Sequence, residues 1–225
     1  GSAKTSTCCA EFIRHIYETP NGTGLIGAAT LPQLEQTAMS QFFEMFPEKH
    51  IRHYNKQKGY VDCINGFRVI FRPLDDEGKA RSLNLSFFWI EEASEVDYDY
   101  FVQLQSRLRS HATNRHGGIL STNPDMGWVK DEFLMKSSKI IGGDVKYVQD
   151  ESEINFNFST HIARTDQNTY LPPTYYEDTA AGKPEWWINR FLKGSFENRE
   201  GLVYPQLQDA SIWVEPFEIP PYWER

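Results

Sequence analysis

The stretch FFWIEEA (87–93) decides the reading of this chain. Four large apolar residues run directly into two adjacent glutamates, Glu91 and Glu92. A short continuous apolar run is the pattern of a strand buried on both faces. Side-by-side carboxylates repel, and Glu is a poor strand former. Two readings stand at this point. The strand ends and the glutamates meet water, or one carboxylate serves a cation while the other serves chemistry.

The flanking sequence places this strand in an α/β domain. Apolar residues at Cys8, Cys9, Phe12, Ile13 and Ile16 have helical spacing over 5–17, closed by Pro20 and Gly22. TGLIGAAT (23–30) reads as a buried strand. Leu34, Ala38, Phe42 and Met45 mark a second helix that ends at Pro47. YVDCI (60–64) and FRVIFRPL (67–74) read as two strands joined at Asn65-Gly66, a strong hairpin signal. The charged loop DDEGKARS (75–82) leads to the strand carrying the glutamates. Phe101, Leu104 and Leu108 share one helix face. GGILSTNP (117–124) is a further apolar strand, ending at Thr122-Asn123-Pro124. A short helix is expected over 131–136, a strand over 154–163 and a helix over 184–192. From Gly201 onward the chain is rich in Pro and aromatics, without helical period, and reads as a linker. Strands alternating with helices predict a mostly parallel central sheet flanked by helices, with one antiparallel hairpin. Ligands in such folds sit at the carboxyl ends of the strands, where the glutamates lie.

The totals restrict the function less than the motifs do. A chain of 225 residues suits one large domain, with or without a small appendage. No apolar run approaches the length of a membrane span, no signal peptide is visible, and no membrane association is expected. Cys8, Cys9 and Cys63 form no CxxC pair and suit reduced thiols. The net charge of −8 argues against a protein whose whole surface coats nucleic acid, and leaves room for a local basic channel.

The chain opens GSAKTS (1–6), which leads straight into the first helix. Phosphate binding needs small residues whose backbone N–H groups close around the ligand. It also needs a Lys for the terminal phosphates and a Ser or Thr for Mg²⁺ at the start of a helix. Gly1, Ser2, Ala3, Lys4, Thr5 and Ser6 meet this pattern with two departures. Ala3 stands where Gly usually precedes the Lys, and the first Gly of G-x-x-x-x-G-K-[ST] would lie before residue 1. A nucleotide-hydrolysing site needs, in addition, an acid at the tip of a neighbouring apolar strand to hold Mg²⁺ and a base for the attacking water. Glu91 and Glu92 stand where these roles fall. Thr122 and Asn123, at the tip of the next strand, can contact the γ-phosphate or its water; as a bare motif they equally cap a turn before Pro124.

This ordered set resembles the ATPase domain of the large terminase subunit of tailed bacteriophages, the motor that packages DNA into a preformed capsid. GSAKTS resembles its Walker A loop, FFWIEEA its Walker B strand with Glu91 where most P-loop enzymes carry Asp, and STNP (121–124) its coupling motif. NGFRVIFRPLDD (65–76), LQSRLRS (104–110), GLVYPQL (201–207) and FEIPPYWER (217–225) fit as well, so the resemblance spans nearly the whole chain.

The resemblance implies a P-loop NTPase fold of the ASCE type. Residues 1–200 would form the ATPase domain, lacking its first strand and adenine-gripping segment, and 201–225 a linker toward an absent nuclease domain. Cofactors would be ATP and Mg²⁺. Lys4 would bind phosphates, Thr5 and Glu91 would hold the metal, Glu92 would act as base or water-positioner, and Thr122 and Asn123 would couple hydrolysis to movement. Arg81 is the first candidate for an arginine finger acting in trans, followed by Arg107 and Arg109. Implied partners are double-stranded DNA contacted through its backbone, the portal protein, the small terminase subunit and further copies in a ring. The implied location is the host cytoplasm during phage assembly, and transiently the procapsid portal. The rival readings are another P-loop DNA motor or helicase-like ATPase, and a non-catalytic nucleotide-binding assembly module.

Overall fold

The computed structural model describes residues 3–76, 78, 81–143, 147 and 149–196. Its centre is a six-stranded sheet built from β1 (Thr23–Ala28), β2 (Ile51–Asn55), β3 (Tyr60–Cys63), β4 (Arg68–Pro73), β5 (Phe87–Ile90) and β6 (Gly117–Leu120), in the order β2-β3-β4-β1-β5-β6. The four strands β4, β1, β5 and β6 are parallel, and β2 and β3 continue the sheet antiparallel. This mixed, mostly parallel sheet flanked by helices is the P-loop NTPase architecture expected from the sequence.

Alternation along β5 shows how both faces are closed. Phe87 and Trp89 point into one cluster with Phe12 and Ile16 of α1 (Lys4–Glu18) and with Phe42. Phe88 and Ile90 point into a second cluster with Tyr100, Phe101 and Leu104 of α4 (Tyr98–Ser106). All four β5 residues are therefore buried, which is why this strand reads as continuous rather than alternating. Helix α1 lies close to β1 because Gly24 has no side chain: a Cβ there would stand 2.6 Å from the Phe12 ring.

The hairpin forms where Asn65-Gly66 predicts it. Gly66 takes φ 85°, and the Asn65 amide both accepts from Phe67 N at 3.1 Å and donates to Ile16 O at 2.7 Å, tying the turn to α1. The second expected helix is present in three pieces. A π-helical turn, Glu35–Met39, separates α2 (Leu31–Leu34) from α3 (Ser40–Met45), and Pro32 sits in the first turn where its missing N–H is harmless. The expected helix near 131–136 is likewise a π-helical turn, Lys130–Leu134. The last described helix is α6 (Glu185–Phe191), entered through Pro184.

Among the described residues, two strands and one α-helix have no counterpart in the sequence reading. They are β2, β7 (Ser137–Gly142) and α5 (Tyr175–Ala180). Strand β7 pairs in parallel with β8 (Asn155–Ile162) in a separate two-stranded sheet, so the expected strand at 154–163 stands outside the central sheet. The expected linker over 201–225 lies outside the described residues. No described helix is long and apolar enough to cross a membrane.

Candidate nucleotide and metal site

The register Ile90↔Leu120 brings the carboxyl tips of β5 and β6 side by side. Glu91 N continues the ladder by donating to Gly27 O at 2.8 Å, and Ser121 N donates to Ile90 O at 3.0 Å. The chain then turns sharply. Glu92 adopts the left-handed conformation, φ 49° and ψ 55°, rare for a residue with a side chain. An extended continuation would send consecutive side chains to opposite sheet faces. The turn breaks that alternation and gives each carboxylate its own set of donors.

Glu91 is buried, with 3% exposure. Its Oε1 accepts from the Thr5 hydroxyl at 2.5 Å, and its Oε2 accepts a short hydrogen bond from the Ser121 hydroxyl. Glu92 accepts twice from Asn123, from its backbone N–H at 3.1 Å and from its side-chain Nδ2 at 3.0 Å. Asn123 Oδ1 accepts from Lys4 Nζ at 3.0 Å. The groups expected to act together thus meet at one place, although α1, β5 and β6 are far apart in sequence.

Electrostatics bear on Glu92 as well. Burial raises the Glu92 carboxyl above the ordinary range, the Asn123 N–H and the Lys4 ammonium pull it partly back, and Glu91 and Glu95 add to the rise. Beside Glu91, burial pushes the Cys8 thiol up to about 12, with Glu91 contributing. The Cys9 and Cys63 thiols are pushed up to about 12 as well, and all three cysteines are free and buried.

At the start of α1, Ala3 is itself left-handed, with φ 59°. That conformation suits Gly, which accounts physically for the usual Gly at this place. Gly1 and Ser2 lie outside the described residues. The Ser6 hydroxyl donates to Gln41 Oε1 at 3.0 Å and so faces α3. Thr122 is turned toward Ser94, with the two hydroxyls 2.8 Å apart, and touches neither glutamate nor Lys4. Of the expected coupling pair, only Asn123 contacts the site.

Arg81 makes no hydrogen bond or ion pair with these groups. It is exposed in the segment before β5, near the opposite strand end, and its carbonyl accepts from Arg107 Nη1 at 2.8 Å. Leu85 N donates to Arg107 O at 2.8 Å, so the segment carrying Arg81 is stitched to the one carrying Arg107 and Arg109.

Thr5 and Glu91 offer hard oxygen donors. Mg²⁺ binds through one or two carboxylates, substrate phosphates and waters, so this pair fits that ion. Among the described residues no group of three or more His, Cys, Asp or Glu could hold a metal without such outside ligands.

Sequence reasoning missed Ser121, the residue on the second oxygen of Glu91. The signal was present: it is the first hydroxyl after the apolar run GGIL, one step beyond the strand that pairs with β5.

The chain is similar to known proteins in sequence and in fold. The sequence profile described as phage terminase large subunit matches residues 1–195. The PBSX phage terminase large subunit of Bacillus subtilis (strain 168) is 32% identical over 121 residues, covering 49% of this chain and 27% of the relative. The chain therefore spans about a quarter of that relative's length. The large terminase of a thermophilic bacteriophage superposes with a TM-score of 0.72 at 16% identity, over 98% of this chain and 52% of that one. A structure of the same terminase in complex with ADP gives 0.71 at 15% identity, over 91% and 48%. The Thermus phage P74-26 large terminase ATPase domain gives 0.59 at 17% identity, over 87% and 85%. With its profile match extending from the opening loop to beyond α6, this chain belongs to the phage terminase large subunit family.

Proposed function

We propose that this chain is the ATPase motor of a phage DNA-packaging machine, hydrolysing ATP with Mg²⁺ to drive double-stranded DNA into a capsid. The observation that carries the reading is the separation of the two glutamates: Glu91 joined to the Thr5 hydroxyl, Glu92 held apart by Asn123. The thermophilic bacteriophage terminase has been seen with ADP and with ATP-gamma-S, which favours a nucleotide at the equivalent place here.

Lys4, with residues 1–6 around it, would hold the phosphates. Thr5 and Glu91 would hold Mg²⁺, Glu91 through water; when bound, the ion neutralises charge developing on the phosphates. Glu92 would orient and deprotonate the attacking water, a task that its raised carboxyl range favours. Asn123, and with it Thr122, would report the state of the site to the rest of the motor. Arg81 would complete the site of a neighbouring copy in a ring; it is exposed in the segment before β5, near the strand end opposite the glutamates. DNA would be held through its phosphates without sequence preference. The portal protein and the small terminase subunit would be the partners, with the protein in the host cytoplasm during assembly and transiently at the procapsid portal. Residues 1–200 would be the motor domain and 201–225 a linker toward a nuclease domain. The chain itself would not cut DNA: outside the glutamate pair, the run Asp75, Asp76 and Glu77 belongs to a charged, Gly-containing stretch of sequence that suits solvent better than a metal.

The test is phosphate release from ATP with and without Mg²⁺, joined to nucleotide binding, for wild type, Lys4→Ala, Glu91→Ala and Glu92→Gln. Lys4→Ala is expected to stop turnover in a folded protein. Glu92→Gln is expected to lower turnover by a factor of about 100 or more with binding kept, and Glu91→Ala to weaken Mg²⁺-dependent binding itself. Equal defects in both glutamate variants would overturn the assigned roles. Failure of the wild type to release phosphate under any assembly condition would leave a nucleotide-binding assembly module.

A further inference from the structure

The geometry points to Ser121, oriented by Trp89, as the positioning residue that aims the Glu91 carboxylate at its metal. This inference rests on Glu91 being the Mg²⁺-side carboxylate. Ser121 is 4% exposed and Trp89 is fully buried. The Trp89 indole donates from Nε1 to Ser121 Oγ at 3.1 Å. An indole N–H can only donate, so the serine oxygen must accept there and its single proton must go elsewhere.

Three acceptors are within reach of that proton: the Ile90 carbonyl at 3.4 Å, the Cys8 sulfur, and Glu91 Oε2, which is far closer than the carbonyl. A carboxylate is the stronger acceptor as well as the nearer one. The Cys8 sulfur, also bonded to this hydroxyl, is a weak acceptor beside a carboxylate. The serine rotor is thereby set by its surroundings, and it holds one oxygen of Glu91 while the Thr5 hydroxyl stands at the other. Glu has three rotatable bonds, and pinning the oxygen remote from Thr5 leaves Oε1 aimed toward the loop.

Carbonyl, indole and serine come from neighbouring elements joined by backbone hydrogen bonds. Trp89 is in the middle of β5, Ile90 is at its tip, and Ser121 is held from both sides of its backbone: its N donates to Ile90 O at 3.0 Å and its O accepts from Ala93 N at 2.9 Å. Outer-shell partners of a metal site change metal affinity by about 10–100-fold when removed.

The experiment measures binding of a fluorescent non-hydrolysable ATP analogue to the full chain across a Mg²⁺ titration, with thermal melting run on every variant. Ser121→Ala is expected to raise the Mg²⁺ needed for half-maximal binding about tenfold, with metal-free binding of ADP unchanged. Ser121→Thr, which keeps the hydroxyl, should restore the requirement to within about threefold of wild type, and Trp89→Phe, which keeps the serine but frees its rotor, should fall between. A folded Ser121→Ala protein with the wild-type Mg²⁺ requirement overturns the inference, provided that Glu91→Ala shifts it. If Glu91→Ala also leaves the requirement unchanged, the assignment of Glu91 to the metal is wrong instead. Equal loss of metal-free ADP binding in Ser121→Ala would make the serine a general structural support and overturn its positioning role.

Discussion

Lys4 Nζ stands 3.0 Å from Asn123 Oδ1, although 119 positions separate the two residues. The same amide donates from Nδ2 to Glu92 Oε1 at 3.0 Å. Ammonium, amide and carboxylate form one chain, and Asn123 is its middle link. A phosphate that draws Lys4 toward itself acts directly on the group holding Glu92. Asn123→Ala is expected to lower turnover by about 10–100-fold through misplacement of Glu92, while nucleotide affinity stays within about threefold. Single-turnover hydrolysis beside equilibrium binding checks the split. An affinity loss as large as the loss in turnover would assign Asn123 to ground-state binding.

Burial raises the Glu92 carboxyl, and this has a pH signature in both stability and rate. A folded-state value above the unfolded one means that the folded protein holds the extra proton. Ionising Glu92 then opposes folding, so its contribution to stability declines as pH rises from the ordinary carboxylate range through the raised value. The melting temperature of Glu92→Gln relative to wild type should therefore climb as pH rises from the ordinary Glu range through the raised value. The acid limb of hydrolysis should also lie above the ordinary Glu range, because the base must be ionised to act. A flat melting difference across that window would remove the raised carboxyl from the account.

Ala3 sits at φ 59° directly before Lys4. A left-handed residue with a Cβ is strained by about 1–2 kcal/mol relative to a right-handed one, whereas glycine enters that region freely. Ala3→Gly is expected to stabilise the protein by about 0.5–1 kcal/mol after the extra unfolded-state entropy of glycine is set against the relief. Denaturant unfolding measures this directly. A destabilised Ala3→Gly protein would mean that the loop before α1 is not held in this conformation.

Arg81 lies exposed near the end of β5 opposite the glutamates, with its carbonyl held by Arg107. If it serves a neighbour, specific activity should rise with protein concentration as copies associate. Mixing Arg81→Ala with Glu92→Gln should then recover activity, because one copy supplies an intact site and the other an intact arginine. Absence of recovery at every ratio would overturn a site shared between neighbouring copies.

The sequence by itself determined those parts of this protein whose signals are local. The apolar run of β5, the helical spacing in α1 and the Asn65-Gly66 turn each carry their conformation within a few residues, so each is found where its pattern places it. Lys4, Thr5, Glu91, Glu92 and Asn123 could likewise be singled out from the sequence as candidates, and the structure brings them together. Tertiary structure decided the rest. The residues IRHYN of β2 (Ile51–Asn55) do not alternate cleanly, and they become a strand through pairing with β3. The pairing of β7 with β8 outside the central sheet has no local signal either. The same holds inside the site. A Ser-Thr-Asn run does not reveal which strand will lie beside it, and only the β5–β6 register puts Ser121 on Glu91, Asn123 between Lys4 and Glu92, and Thr122 away from both. Strand neighbours are chosen by long-range packing of the two sheet faces, and a hydroxyl or an amide acquires its partner only once those neighbours are fixed.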